Sequence, residues 1–283
     1  MGWLVRRKAV GAALLGLLMV AGCSSGGGSG SAPSATTPSG TAGGASSKAS
    51  PGDDAAATEA AYRKWGLKPF AAPPAPPAEK PVKTKPGDVP VVSDIPTTEK
   101  IVFVTFDDGA EKDPKFVEMM RDLKVPFTMF LTDDIIRSDY GYFKPLQDLG
   151  NSIENHTLSH PNLRTLGAAA QKNEICAQET KLGKEYGKAP GLFRPPYGNW
   201  NENTRTAAKS CDIRAIVLWR ETMQITNMQY QRGDKKLHPG DIILAHFRGP
   251  KELKGTSMTQ MTANMLRHIQ EQGFTVARLE DYV

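Results

Sequence analysis

Between residues 99 and 283 short apolar runs alternate with amphipathic stretches, and this alternation restricts the fold more than any single motif does. Residues 101–105 (Ile-Val-Phe-Val-Thr), 127–131, 152–154, 215–218, 242–245 and 274–277 read as strands. Helices are predicted from about Asp113, with Pro114 in the first turn, and over residues 144–149, 167–186, 203–209 and 257–272. Strand followed by helix, repeated over about 185 residues, implies an α/β domain with a parallel sheet. A closed (β/α) barrel and an open sheet fit the alternation equally well. In such folds the active site gathers at the carboxyl ends of the strands, so the residues just beyond each strand carry the functional information.

Charge narrows the class of partner. The chain has 35 Lys and Arg against 30 Asp and Glu, a formal charge of +5. Arg6, Arg7 and Lys8 account for three of these, and residues 99–283 are nearly balanced, with 25 basic and 24 acidic residues. No single-sign field of the kind that neutralises phosphates is present, so a nucleic-acid partner is not expected. Three cysteines in 283 residues exclude a disulfide-built scaffold and a multi-cysteine metal cluster.

The first 22 residues have the order of an export signal. Arg6, Arg7 and Lys8 precede an apolar run, too short to span a bilayer comfortably, that ends in Val20-Ala21-Gly22-Cys23. Small residues before a cysteine resemble the lipobox of bacterial lipoproteins, which implies lipidation of Cys23 and anchoring at the outer face of the cell envelope. An ordinary secretory signal containing a cysteine is the alternative. Residues 23–98 are rich in Gly, Ser and Ala, then in Pro, and are expected to form a flexible tether. A coil of about 76 residues spans roughly 50 Å. One island, residues 53–66, with Asp53 or Asp54 as cap and carrying Tyr62 and Trp65, reads as a short helix, transient or docked. The domain proper is expected over residues 99–283.

Four groups of polar residues follow strands. The first is Thr105-Phe106-Asp107-Asp108-Gly109. Two adjacent carboxylates can divide the work of metal ligand and base, provided that a cation offsets their repulsion, although Asp-Asp-Gly is also good turn chemistry. The second is His156-Thr157-Leu158-Ser159-His160. Histidines four apart on a helical turn share a face suited to a divalent metal, and Thr157 stands where the zinc-protease pattern has its glutamate. A base must then come from elsewhere, and Asp107 is the obvious supplier. The third is Phe193-Arg194-Pro195-Pro196-Tyr197-Gly198, whose prolines fix the directions of Arg194 and of the Tyr197 amide, either for catalysis or as a rigid salt-bridged loop. The fourth is Leu244-Ala245-His246, where a hydrogen-bonded core histidine is the competing reading. His238 and His268 read as ordinary loop and helix residues.

Together, in this order and spacing, these four motifs resemble the polysaccharide deacetylase family, also called the NodB-homology domain or carbohydrate esterase family 4. The resemblance spans residues 99–283 and implies a distorted (β/α) barrel with a metal site at its mouth. It implies that Asp108, His156 and His160 bind a divalent metal, most often zinc, with cobalt, nickel or manganese as alternatives. Asp107 would be the general base, oriented by Arg194, and the Tyr197 amide would help hold the oxyanion. Leu244 would line the pocket for the acetyl methyl group, and His246 would be the general acid. The reaction implied is removal of N-acetyl groups from an amino-sugar polymer such as peptidoglycan or a chitin-like glycan, by a monomer. An O-acetyl esterase and a non-catalytic glycan-binding lipoprotein are the alternatives. Family members carry an Asp after the fifth strand that pairs with the catalytic histidine; here the stretch is Leu218-Trp219-Arg220-Glu221-Thr222, and Glu221 is the candidate substitute. Trp200, Trp219, Tyr140 and Tyr142 are candidates for stacking on sugar rings, with core packing as the competing reading. Cys176 and Cys211 fall on consecutive predicted helices, either paired or as free thiols.

Overall fold

The computed structural model describes residues 51–83 and 87–283. The expected export signal and Cys23 lie outside the described residues. None of the described helices is long and apolar enough to cross a membrane.

The centre of the domain is β2 (Ile101–Asp108), buried from Ile101 through Asp107. A strand covered on both faces reads as a continuous apolar run, which is why this segment is legible in the sequence. It pairs in parallel with β3 (Thr128–Leu131), β9 (Ile242–His246) and, at its start, β10 (Thr275–Val276). Beyond β3 follow β4 (Ser152–Asn155), β5 (Leu192–Phe193), β6 (Ala215–Val217) and β1 (Val91–Val92), all parallel. Beyond β9 stands β7 (Glu221–Met223), which forms an antiparallel hairpin with β8 (Met228–Tyr230). The path runs β1-β6-β5-β4-β3-β2-β9-β7-β8 with β10 beside β2, a curled sheet whose two ends do not pair. It is a half-open barrel, the distorted member of the two architectures that the alternation allowed.

Helices cover the outside. In α2 (Pro114–Leu123) the Asp113 side chain accepts from the Lys115 amide, Pro114 occupies the first turn, and Phe116, Met119, Met120 and Leu123 form the buried stripe. Two short helices, α3 (Asp133–Ile136) and α4 (Lys144–Asp148), follow β3. α5 (Ala168–Tyr186) ends at Gly187, α6 (Glu202–Ser210) starts in a capping box between Asn201 and Thr204, and α7 (Met258–Glu271) is capped by Ser257. A disulfide joins Cys176 of α5 to Cys211 just beyond α6, settling that pairing.

The tether expected up to residue 98 stops much earlier. Helix α1 (Pro51–Lys64) lies on α2: the buried Tyr62 hydroxyl donates to the Leu123 carbonyl at 2.9 Å, and the Trp65 indole to Asp122 at 2.8 Å. The following proline-rich stretch is laid along the domain, with Ala71 accepting from the Thr275 hydroxyl at 2.6 Å and Lys80 bound to the Val283 carbonyl at 2.7 Å. Val89 and Ile95 are core residues, and Val91 and Val92 extend the sheet. Average composition concealed these anchors: a few apolar side chains, spaced along an extended backbone that costs little entropy to order, suffice to fix it.

Candidate active site

Parallel register assembles the site. Asp107 pairs with His246 across β2 and β9 and with Phe130 across β2 and β3, so the two candidate proton carriers stand at one height on adjacent strands. Asn155 pairs with Leu131 and with Phe193, which places His156 and Arg194 one residue beyond neighbouring strands at the same rim. Side chains in register on parallel strands share a face, so Thr105, Asp107, Leu244 and His246 line one side of the sheet.

At that rim the backbone turns sharply. Asp108 adopts φ 72° and Gly109 φ 91°, in the left-handed region. A Cβ on Gly109 would meet Ile136 at 2.4 Å and Phe143 at 2.9 Å, so glycine is required here by both conformation and space. The helical turn expected to align His156 and His160 is absent. Thr157 and His160 take φ 71° and 58°, and the tight turn they form brings the two rings edge to face at 5.0 Å. Asn155 stabilises this turn by accepting from the Thr157 amide at 3.0 Å.

Ligand atoms of Asp108, His156 and His160 lie within 4.8 Å of one another. His156 Nδ1 is 2.6 Å from the Arg194 carbonyl, which can only accept, so the proton sits on Nδ1 and the Nε2 lone pair faces inward. There Nε2 meets Asp108 Oδ1 at 3.5 Å and Asp107 Oδ2 at 3.7 Å, while His160 Nε2 lies 3.3 Å from Asp108 Oδ1. Asp108 Oδ1 is buried and, among the described residues, has no hydrogen-bond partner. Lone pairs converging on one point require a positive charge between them. The titration shifts agree: burial works against the Asp108 charge, but His156 and His160 outweigh it and hold the carboxyl well below its usual range. Burial likewise opposes a charged His156, and Asp107 and Asp108 overcome it and push the imidazole up. One carboxylate and two imidazoles suit zinc and leave coordination positions open, so the residues present fit a divalent metal.

Arg194 is fully buried beneath this point and every part of its guanidinium is used. Nη1 donates to Asp107 Oδ1 at 2.6 Å and to the Thr105 hydroxyl at 2.7 Å, Nε to the Val217 carbonyl at 3.1 Å, and Nη2 to the Leu218 carbonyl at 3.2 Å. Its Cζ lies over the Phe130 ring, 4.2 Å from the ring centre. This fixes Asp107 with Oδ1 held and Oδ2 turned toward His156 Nε2. Thr105 and Phe130 were not singled out from the sequence; Thr105 carries a signal, since it stands two residues before Asp107 on the same strand face.

The remaining candidates are placed as follows. Tyr197 has φ 61°, its ring meets the His160 ring edge to face at 4.9 Å, and it is 65% exposed. The turn around it is closed by the Gly198 and Asn199 amides, which leaves the Tyr197 N–H out of these bonds. Leu244 is buried one level below His246. Trp200 is half-buried, two residues beyond Gly198. Trp219 packs over Gly198 and lies 5.7 Å from the Arg194 guanidinium, a core role. Tyr140 and Tyr142 are engaged elsewhere: their hydroxyls donate to Asp133 and to the Asp113 carbonyl.

Glu221 does not replace the missing partner of His246. It pairs with Ile243, three residues below His246, and is buried against Asp241, with Arg232 3.7 Å away. Burial and the Asp241 charge push its carboxyl strongly upward. Among the described residues His246 has no ion pair; burial keeps its imidazole below the ordinary value, opposed by the nearby charges of Asp107 and Asp108 and aided by those of Arg248 and His156.

The sequence profile of the polysaccharide deacetylase family matches residues 94–216. An uncharacterized protein of Streptomyces coelicolor is 43% identical over 195 residues, 69% of this chain and 77% of its own length. The peptidoglycan-N-acetylmuramic acid deacetylase PdaA of Bacillus subtilis is 27% identical over 65% of this chain and 72% of its own. Among solved structures, the Bc1960 peptidoglycan N-acetylglucosamine deacetylase superposes with a TM-score of 0.58 at 26% identity, covering 67% of this chain and 91% of that one. With the half-open parallel barrel and the four motifs at its rim, these likenesses make the chain a member of the polysaccharide deacetylase family, hydrolases of carbohydrate esterase family 4.

Proposed function

We propose that the chain is a metal-dependent hydrolase that removes N-acetyl groups from an amino-sugar polymer, with peptidoglycan as the first candidate. The observation that carries this reading is the convergence of Asp108, His156 and His160 beside an Asp107 held by Arg194. When bound there, a divalent ion, with zinc the best match to the donors, supplies a Lewis acid that polarises an acyl oxygen and eases deprotonation of a water. Asp107 takes that proton on Oδ2, since Oδ1 is occupied by Arg194. The Tyr197 amide donates to the developing oxyanion. Leu244 gives the acetyl methyl an apolar floor. His246, opposite Asp107 in register, protonates the departing nitrogen.

One observation favours a second reading. Without a carboxylate partner His246 is a less assisted acid, and an alkoxide leaves with less protonation than an amide nitrogen, so O-acetyl esters on a glycan are the alternative substrate. We further propose that residues 1–22 are an export signal, that Cys23 is the lipid anchor at the outer face of the cytoplasmic membrane, and that the protein acts as a monomer. The Arg6-Arg7-Lys8 start and the Val20-Ala21-Gly22-Cys23 pattern support the first two.

Acetate release by the full chain from peptidoglycan, chitin oligomers and acetylated xylan, with zinc and with chelator, tests the reading. Zinc-dependent release from an N-acetylated glycan is the expected result. Release from xylan alone selects the ester reading, and no release by a folded, zinc-loaded protein excludes both.

A further inference from the structure

The cavity beside His246 has a lining that the reaction itself does not use. It encloses about 460 Å³, with Gln224 and Thr226 from the β7–β8 hairpin on one wall and Arg248, Glu252 and Lys254 from the loop after β9 on the other. The Phe247 amide still bonds the Asp107 carbonyl at 3.2 Å, so the alternation of β9 continues and Arg248 falls on the same face as His246. Arg194, Arg220 and Arg232 all meet a carboxylate at 2.6 Å. Arg248 is half-buried and, among the described residues, forms no ion pair and no side-chain hydrogen bond. Lys254 is exposed and likewise has no carboxylate partner there. Among the described residues Glu252 is the one acidic side chain in the lining, and it accepts from the Gly249 amide at 3.3 Å. A guanidinium partly withdrawn from water, with its fork unfilled and a second cation on the same wall, matches an anion that binds in two places, such as a carboxylate.

Position identifies where on the substrate that anion sits. His246 protonates the leaving nitrogen, so a cavity on the side of His246 lies toward the sugar rather than the acyl group. Resting on the amide-hydrolase reading above, we propose that Arg248 and Lys254 form a subsite for a carboxylate carried by the amino sugar whose amide is cleaved. The substrate class is then a muramic-type residue, whose ether-linked carboxylate is borne on the carbon next to the one bearing the amide. A neutral chitin-like chain leaves the subsite unfilled.

The test uses the full chain loaded with zinc and two glycan oligosaccharides that differ only in that group, one with the free carboxylate and one with its methyl amide. The wild-type kcat/KM is expected to favour the acid at least tenfold, and Arg248→Gln to bring the ratio to within threefold of one. Lys254→Gln is expected to lower it less, and rising salt to lower it in the wild type. A wild-type ratio near one overturns the proposal, as does a ratio that Arg248→Gln leaves unchanged while the pH profile moves, which would make Arg248 a modulator of His246. If Arg248→Gln does not fold, the salt dependence and Lys254→Gln decide. If neither oligosaccharide releases acetate, the amide reading fails, and calorimetric binding to the Asp107→Asn chain separates the two: tighter binding of the acid retains the subsite, and equal binding removes it.

Discussion

Replacing Asp107 by Asn probes the chemistry with little change in shape. Asp107 Oδ1 receives Arg194 Nη1 at 2.6 Å, and Oδ2 faces the site 3.7 Å from His156 Nε2. In Asn the oxygen keeps the Arg194 bond, so the NH₂ group takes the inward position and has no lone pair to accept a proton. Arg194 loses its counter-charge but retains Thr105, the Val217 and Leu218 carbonyls and the Phe130 face. A stability loss of about 1–3 kcal/mol is expected, which leaves a folded protein. Loss of the base should lower kcat about a hundred- to ten-thousand-fold, or about 3–5.5 kcal/mol of transition-state stabilisation. On the proposed reading Asp108, His156 and His160 hold the zinc, so its affinity should change little. The assay is acetate release at saturating zinc, beside a zinc titration and circular dichroism. A folded, zinc-loaded Asp107→Asn protein with kcat/KM within about threefold of wild type would falsify the assignment of the base.

Three further outcomes are expected from the rest of the fold. Reducing the Cys176–Cys211 disulfide, which spans 35 residues, should cost about 3–4 kcal/mol by loop-closure entropy, read as a lower urea midpoint; a change below about 1 kcal/mol refutes that account. Tyr62→Ala should destabilise the domain by about 2–4 kcal/mol, whereas a free tether would lose nothing. Glu154 is fully buried, and burial, aided by Glu280, pushes its carboxyl up to about 7 against the Gly191 and Leu192 amides that it accepts from. The folded state then binds the extra proton between the unfolded value of 4.5 and about 7, so this contribution, about 3 kcal/mol, is complete below pH 4.5 and is lost as pH rises through 7. Glu154→Gln should flatten that slope in urea titrations across pH 4.5 to 7, and an unchanged slope assigns it to other groups.

Much of the fold is legible because burial on both faces writes itself into the sequence. The strand at residues 101–105 and the α2 stripe emerge from apolar runs and period alone. The chemistry-bearing residues are legible for a related reason: parallel strands end at one rim, so polar residues just beyond apolar runs become neighbours. His156 and His160 were found for an incorrect local reason, since a left-handed turn and not a helix joins them. The docking of α1, Ala71, Lys80 and β1 on the domain was missed because these anchors are isolated side chains and backbone groups in a proline- and alanine-rich background.

Local pattern therefore determined which residues belong to strands, which face of each helix is buried, and which acids, histidines and arginine end at the rim. Tertiary structure alone decided how they meet. Register across β2 and β9 sets Asp107 opposite His246, the fold buries Arg194 beneath both, and the β7–β8 hairpin walls the cavity beside His246 and Arg248. It also decided that Glu221 belongs to another charge cluster, because its strand pairs three residues below His246. Periodicity is a property of a segment and survives in the one-dimensional sequence, whereas register and the pairing of buried charges are relations between segments and exist only after the chain has closed on itself.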